Sequence, residues 1–336
     1  MENLTIKDVA KKAGVSIATI SRALNPETRN TVKLETVQKI QDVVTELGYL
    51  PNNIASSLRR RKSKTIGFPY NFQKDVTSGY VSGILSGVLR GLNEIGYGLK
   101  LMPVKDTHSL LALIDKQGID GIIFTHASYI EYSHLEINEN AEKILPVVVI
   151  NDSDSNQGVN RLYVNSYDAS RTMAEYVLRK SGPKVFIIGG NPDDVESRLR
   201  KAAFLDVLRE KEMQFSEHRY LDGKFSEQGG YEASKTAFEK EPEFRGVLYC
   251  LNDAMAIGAI RAVGELGLHC PGDIKIIGFD DVFQTEFTNP PLTTMRFPLS
   301  NMGHEAVMLI YRILKGEIKQ YIKKEFPHEL IIRASC

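Results

Sequence analysis

Apolar positions in the first ~50 residues recur at helical rather than strand spacing. Ile6, Val9, Ala10 and Ala13 share one helical face, and Thr5 stands before them as an N-cap with Asp8 three residues on. Gly14 ends that helix, since glycine tolerates the left-handed cap conformation. A second short helix starts at Ser16 and carries Ile17, Thr19, Ile20, Ala23 and Leu24 until Asn25–Pro26 breaks it. A third is predicted from about Lys33 to Leu47, with Val37, Ile40, Val43, Val44 and Leu47 on one face and Gly48 as terminator. After Leu50–Pro51–Asn52 comes a short apolar helical stretch of Ile54, Ala55 and Leu58.

From Thr65 the pattern changes to short β-like runs separated by amphipathic helical stretches of about 12–18 residues. The runs are Thr65–Phe68, Gly98–Pro103, Gly121–Thr125, Val147–Ile150, Val185–Ile188, Gly246–Cys250 and Ile274–Gly278. Such alternation predicts βαβ units and parallel sheets, and apolar runs such as Val147–Ile150 fit sheets covered on both faces. About 270 residues is much for one open sheet, so two lobes are expected. Gly83, Gly87 and Gly91 recur every fourth residue as a smooth stripe along one helix. Glycine costs ~1 kcal/mol relative to alanine in a helix, so close packing should compensate. The partner is the sheet beneath or the twin helix of a dimer, with the sheet preferred.

With 336 residues, 42% of them apolar and 25% charged, the composition is that of an ordinary globular protein with a sizeable core. No apolar run approaches the ~20 residues of a membrane helix, and MENLTIKDVAKK lacks the apolar stretch of a secretory signal. Cys250, Cys270 and Cys336 are odd in number, show no CxxC spacing and read as free thiols in a reducing cytoplasm. A formal net charge of zero hides an asymmetry. Residues 1–64 hold twelve Lys/Arg against six Asp/Glu, a net of +6 that leaves −6 on the remainder. A basic head on an acidic body points to a polyanion partner for the head and to no membrane partner.

Two short helices across a tight Gly14–Val15 turn make a helix-turn-helix, whose second helix fits the major groove of double-stranded DNA. With Val9, Ala10, Val15, Ile20 and Leu24 turned inward, the second helix presents Ile17, Ala18, Ser21 and Arg22 outward. Arg22 can donate two hydrogen bonds to guanine O6 and N7, and Ile17 and Ala18 suit thymine methyl groups. Thr5, Ser16, Ser21 and Thr36 can donate to phosphates, which positions a helix without specifying sequence. Ser16 reads equally as a plain N-cap, a role compatible with a phosphate contact.

The stretches TIKDVAKKAGVSIATISRALN and GYLPNNIASSLRRRKSKTIGF strongly resemble the lactose-repressor/galactose-repressor family of bacterial transcription regulators. The resemblance spans the whole chain, through the later IDGII, LNDAMAIGAIRA, IIGFDD and PPLTT. It implies an all-α helix-turn-helix DNA-binding head at 1–50, a hinge helix and linker at 51–63, and an effector-binding body at 64–336. The implied body is an α/β two-lobed clamp similar to periplasmic sugar-binding proteins, with crossings near Arg161–Tyr163, Thr294–Arg296 and Lys324–Phe326. Lobe 1 would take about 64–161 and 296–325, and lobe 2 about 162–295 and 326–336. In the family, the stretch matching Asn52–Arg60 pairs with its dimer mate in the minor groove. That places Asn52, Ala55 and Leu58 on DNA, with Leu58 wedged into the central base step. Isolated helices under ~12 residues are marginal, so this one should order only with DNA and its partner. An apolar wedge kinks the duplex, and the wider contact repays the unstacking. Leu58 as an ordinary linker leucine, and 59–64 as a solvated linker, stay open. The family's Ser/Thr before the third helix and Arg after Thr36 are here Lys33 and Val37, and the Asn25–Thr31 loop is two residues longer. These departures bear on half-site orientation and phosphate contacts.

Ligands of open α/β sheets bind beyond the carboxyl ends of strands. That rule selects Tyr70, Asn71 and Phe72 after the first strand, Thr125 and His126 after the third, and Asn151–Asp152 after the fourth. By resemblance, Arg200 in SRLRKAAF, Asn252 in LNDAMAIG and Asp280 in GFDD match the family's ligand contacts. An arginine fork, an aspartate accepting hydroxyls and an asparagine that does either suit a sugar or polyol. Tyr70 and Phe72 can cover an apolar ring face. His126 reads as a packed polar residue or a contact, and Asp253 and Asp281 read first as helix N-caps. Ala203 replaces a family glycine and is expected to crowd the Arg200 helix.

No HxxxH, HExxH, GxSxG or Walker pattern occurs, so no catalytic residue, metal or cofactor is expected. The chain ends at Ala334-Ser335-Cys336 without a leucine-heptad tail, so a homodimer rather than a tetramer is expected. The sequence thus reads as a cytoplasmic, sequence-specific transcription regulator and repressor, recognising a near-palindromic operator. A small-molecule effector, foremost a sugar or sugar derivative, would control it allosterically. The alternative is a nucleobase or phosphoprotein co-effector.

Overall fold

The computed structural model describes residues 4–24, 28–49, 63–70, 78–104, 118–125, 145–151, 159–192 and 194–336. The chain divides into two units, Met1–Ser63 and Lys64–Cys336. In the first unit, helix α1 (Ile6–Ala13) opens at the expected cap. The Asp8 carboxylate accepts from the Thr5 backbone N–H at 2.8 Å and from the Thr5 hydroxyl at 2.7 Å. Gly14, at φ 68°, closes α1 in the left-handed conformation and turns the chain towards α2 (Ile17–Leu24). Helix α3 (Leu34–Leu47) starts behind Lys33, whose side chain makes no cap hydrogen bond, and ends on Gly48 at φ 61°. Val9, Ala10, Ala13, Ile20, Ala23, Val37, Ile40, Val43 and Tyr49 form one small core. Val15 and Leu24 are half-buried at its edge rather than central, because Ala13 and Ala23 hold the closer positions. Val37 earns its place by packing inward. Asn52, Ala55, Leu58, Asn71, Phe72, His126 and Asp152 lie outside the described residues.

The second unit opens with β1 (Thr65–Tyr70), α4 (Gly79–Ile95), β2 (Gly98–Pro103), β3 (Gly121–Phe124), β4 (Val147–Ile150) and β5 (Asn160–Val164). There follow α5 (Ser166–Ser181), β6 (Val185–Gly189), α6 (Val195–Glu210), β7 (Tyr220–Asp222), α7 (Glu227–Lys240) and β8 (Val247–Cys250). The chain continues through α8 (Asp253–Glu265), β9 (Lys275–Ile277), β10 (Thr294–Arg296), α9 (Leu299–Leu314), β11 (Lys323–Phe326) and β12 (Glu329–Ile331). One six-stranded sheet runs β11-β5-β4-β3-β1-β2, and a four-stranded sheet runs β7-β6-β8-β9. Every neighbouring pair in both is parallel. All four residues of β4 are buried, as a strand covered on both faces must be.

Strands β5 and β11 pair in register Lys323↔Arg161 and keep the first sheet going through Val164. The remaining pair, β10 and β12, forms an antiparallel ribbon with Met295 opposite Leu330. Neither β7 nor β12 shows in the hydrophobic pattern. Each is three residues long, too short for periodicity to register.

The glycine stripe on α4 packs on neither of the two partners weighed for it. Gly83 faces Leu299, Gly87 the Ser300 carbonyl and Gly91 Val307, all on α9 of the same chain. Gly303 of α9 completes the fit by facing the Ile84 carbonyl. Removing side chains from both helices lets their backbones touch, which recovers in packing what glycine loses in chain entropy. A Cβ at Gly87 would overlap the Ser300 carbonyl, whereas one at the solvent-facing Gly264 meets nothing within 4 Å. Gly87→Ala should therefore lower stability by ~1–3 kcal/mol. Gly264→Ala should be neutral or stabilising by up to ~1 kcal/mol. Paired urea melts of the two variants check this ordering, and equal effects would contradict the backbone contact.

Candidate functional site

The head offers one exposed helix face. Ile17, at 38% exposure, and Ala18, Ser21 and Arg22 all point to solvent from α2, as the spacing predicts. The Ser16 hydroxyl oxygen accepts from the Thr19 N–H at 3.1 Å and so caps α2. The Arg22 Nε donates back to the Ala18 carbonyl at 3.4 Å, which lays the side chain along the helix. Thr36 sits half-buried in the first turn of α3. The Thr5 hydroxyl hydrogen is committed to Asp8 rather than turned outward, and these bonds hold the Asp8 carboxyl below its ordinary pKa.

The body holds a cavity beyond the strand ends, lined in part by Tyr80, Glu227, Asn252, Asp280, Val282 and Gln284. Behind it lies Arg200 of α6, only 5% exposed. Its Nε donates to Glu196 at 3.2 Å, and its Nη1 donates to the Leu251 carbonyl. The Nη2 lies 3.7 Å from Asp280 Oδ1. The guanidinium also covers the Phe279 ring, 4.1 Å from its centroid, with Phe297 at 5.7 Å. Burying such a charge costs several kcal/mol unless partners answer it. Burial works against the arginine's charge, but Glu196 and Asp280 outweigh it and raise its pKa. Glu196 in turn accepts from the Ser166 hydroxyl at 2.7 Å, on the first residue of α5 after β5.

Asp280 sits at φ 109°, a conformation L-residues rarely adopt. The backbone holds it there: its N–H donates to the Met295 carbonyl at 2.7 Å, and its carbonyl accepts from the Phe297 N–H at 3.3 Å. The Oδ1 atom is buried without a hydrogen bond. Burial lifts the carboxyl pKa to about 7, with Arg200 pulling it down and Glu196 pushing it up.

Of the residues expected at the site, Arg200 and Asp280 meet as an ion pair, and Asn252 shares the cavity wall with Asp280. Asn252 also does structural work. Its Oδ1 caps α8 by accepting from the Met255 N–H at 2.9 Å, and its Nδ2 donates to the Phe225 carbonyl at 3.2 Å. The cap role expected of Asp253 therefore belongs to its neighbour. Asp253 is fully buried and accepts from the Val282 N–H at 2.9 Å and the Thr294 hydroxyl at 2.6 Å. Asp281 likewise acts as an ionic anchor, at 2.6 Å from Arg296 and 2.8 Å from Arg333. Burial opposes its charge, yet these arginines and their hydrogen bonds keep its carboxyl below the ordinary range.

Asn151, at φ 59°, donates its amide to the Tyr80 hydroxyl and accepts from the Val164 N–H at 3.3 Å. It positions Tyr80 at the cavity wall. Tyr70 ends β1 half-buried and is not among the lining residues. Ala203 is fully buried on the Arg200 helix. Sequence reasoning missed Glu196, Tyr80 and Glu227. For Glu196 a signal existed, since an acid four residues before a buried arginine on one helix is placed to pair with it.

An exposed reading helix on a basic head, carried by a chain whose body has two parallel sheets and a polar cavity, defines a DNA-binding regulator with a ligand-binding body. Residues 5–52 match the model of the bacterial regulatory proteins, lacI family, and residues 174–336 match the periplasmic binding protein-like domain. The chain is 30% identical over 335 residues to the HTH-type transcriptional repressor PurR of Histophilus somni, covering 98% of each. It is 31% identical over 338 residues to the repressor of that name from Haemophilus influenzae, again covering 98% of each. Among solved structures, the lac repressor dimer bound to operator and the anti-inducer ONPF aligns with a TM-score of 0.80 at 22% identity, over 99% of each chain. The CelR–cellobiose complex aligns at 0.71 and 23% identity, over 99% of this chain and 100% of that one. The chain belongs to the lacI family of bacterial regulatory proteins.

The Asp280 carboxyl gives a pH signature. Its pKa of about 7 lies above the unfolded value, so the fold prefers the neutral acid. That stabilisation is complete below an ordinary aspartate pKa of ~3.9 and is lost as pH rises through the folded value. Asp253, also raised by burial and by Asp280, adds the same sign, while Arg200 and Glu196 set the local field. The melting temperature should fall between about pH 4 and 7 and level off above, and Asp280→Asn should shrink that fall. An equally steep fall in the variant would contradict the assignment.

Proposed function

We propose that the protein is a homodimeric, sequence-specific repressor, acting in the cytoplasm, whose grip on a near-palindromic operator is set by a small hydroxylated effector. The observation that carries the effector reading is the buried Arg200–Asp280 pair at a cavity wall, with Asp280 Oδ1 lacking a hydrogen bond. An aspartate and an asparagine on the cavity wall, with Arg200 holding Asp280 from behind, suit the hydroxyls of a sugar or sugar derivative. Relatives are named as transcriptional repressors, and similar folds occur with cellobiose and with operator bound. No helix among the described residues is long and apolar enough to cross a membrane.

In this reading the head covers 1–50 and the hinge 51–63. The lobes lie at about 64–161 with 296–325 and at about 162–295 with 326–336. Arg22 reads a guanine while Ile17 and Ala18 meet thymine methyls. Ser16, Ser21 and Thr36 position the head on phosphates, while both Thr5 donors stay engaged by Asp8. Asn52, Ala55 and Leu58 engage the minor groove as a paired hinge. Tyr70, Phe72, His126 and Asn151 belong to the first lobe's share of the effector site, and Arg200, Asn252 and Asp280 to the second's. Two-fold protein symmetry then mirrors two-fold operator symmetry.

On the duplex the wild type prefers, Arg22→Ala should relax discrimination at one base pair, at a cost of ~1–3 kcal/mol. Uniform weakening across all single-base variants, read by fluorescence anisotropy, would exclude a base contact. Asp280→Asn should keep operator binding but lose the response to whichever compound shifts wild-type binding. A variant that responds normally would move the effector elsewhere.

A further inference from the structure

We infer that Arg29 grips the DNA backbone just beyond the base pair that Arg22 reads, and so fixes the register of the head on the duplex. The inference rests on the reading of α2 as the helix that enters the major groove and adds a phosphate contact outside that helix. The described part of the link between α2 and α3 is folded. Arg29–Thr31 makes a single 3-10 turn. The Thr28 hydroxyl donates to the Arg22 carbonyl at 3.1 Å, and the Thr31 hydroxyl donates to the Thr28 carbonyl at 2.6 Å. Val32, the next residue, packs against the small core of the head. The turn is pinned on one side to the reading helix and on the other to the core, which gives Arg29 a fixed station beside the backbone of Arg22.

Helix α2 has 8 residues and Arg22 lies in its last turn. That is a length of about 12 Å, close to the ~12 Å width of the major groove. Groups at its end therefore leave the groove where a phosphate strand borders it. A cation held just past Arg22 meets phosphate oxygens rather than base edges, and such contacts set register without reading sequence.

The chemistry of Arg29 suits that station. The side chain is exposed, and its Nη2 donates to the Gln41 side-chain oxygen at 3.4 Å, a long bond to a neutral acceptor. The ion pair described within the head joins Lys12 to Glu46 at 2.6 Å, and no carboxylate among the described residues answers the Arg29 guanidinium. Exchanging a neutral amide for a phosphate strengthens each bond, and the planar fork engages two phosphate oxygens at once. Val37 supplies the converse observation. The family resemblance sets an arginine after Thr36, whereas Val37 is buried in the core, so α3 offers no cation at that position. The lengthened link returns a guanidinium to the head, at the end of α2.

Fluorescence anisotropy of the full-length protein on the duplex it prefers, repeated across a salt series, tests this. Arg29→Ala should weaken binding by about tenfold or more, and by the same factor on every single-base variant of that duplex. The slope of log affinity against log salt should shrink by about 0.9 per head. Arg29→Lys keeps the charge without the fork, so it should retain the slope and lose part of the affinity. Arg29 lies outside the core, and circular-dichroism melts report that each variant folds. A loss confined to one base pair would make Arg29 a base reader and overturn the phosphate contact, as would unchanged affinity and slope. Arg22→Ala on the same duplexes separates this contact from the reading beneath it. If Arg22→Ala relaxes one base pair while Arg29→Ala changes nothing, the Arg29 contact alone is excluded. If Arg22→Ala leaves discrimination intact, the reading of α2 fails and the inference falls with it.

Discussion

Arg200 carries a charge into a site where only 5% of its surface meets solvent, and much of the effector unit is arranged to answer it. Two carboxylates do so from different elements: Glu196 from the first turn of the same helix, and Asp280 from the loop after β9. Neither is held loosely. Ser166, where α5 leaves β5, donates to Glu196, and β10 with Phe297 clamps the backbone of Asp280. Asp253 ties the same region down from α8 through Val282 and Thr294. A buried charge of this kind adds little stability when complete and is expensive to disrupt. Its value lies in geometry: a small change of charge at the cavity wall is felt where the chain leaves β5 and where it passes β10.

The head is built on the opposite principle. Its core is small, much of it alanine and valine, and its reading face carries almost no internal bonds beyond the Ser16 cap and the Arg22 return to Ala18. A module of that size binds DNA through phosphate contacts and a few base edges, so one copy has limited affinity and a symmetric pair has much more. Control by an effector then requires only a modest bias between paired and unpaired heads. Couplings of ~1–3 kcal/mol are typical and reciprocal, so operator changes effector affinity by the same factor.

Much of this was legible in the residues. The Thr5–Asp8 cap, the Gly14 and Gly48 stops and the outward face of α2 follow from local chemistry and stand as expected. Strands β2 and β4 match the predicted runs to the residue. What pattern reading misses is set by distant parts of the chain. The partner of Gly83, Gly87 and Gly91 is α9, more than two hundred residues away, and no local period points to it. That Asn252 rather than Asp253 caps α8 depends on where β10 and Val282 happen to pass, since they take the Asp253 carboxyl. Glu196 and Tyr80 gain meaning only once Arg200 and Asn151 are seen beside them. Backbone strain at Asp280 and Asn151 marks the site clearly, and strain leaves no trace in composition.

The central claim is that a symmetric pair of these heads recognises duplex DNA. Selection of duplexes from a fully randomised pool by the full-length protein tests it most directly. The account predicts enrichment of an inverted repeat whose half-sites lie about one helical turn apart, ~10 bp centre to centre, with retention that weakens steeply as salt rises. A pool that stays unenriched, or that converges on a motif without two-fold symmetry, would contradict it.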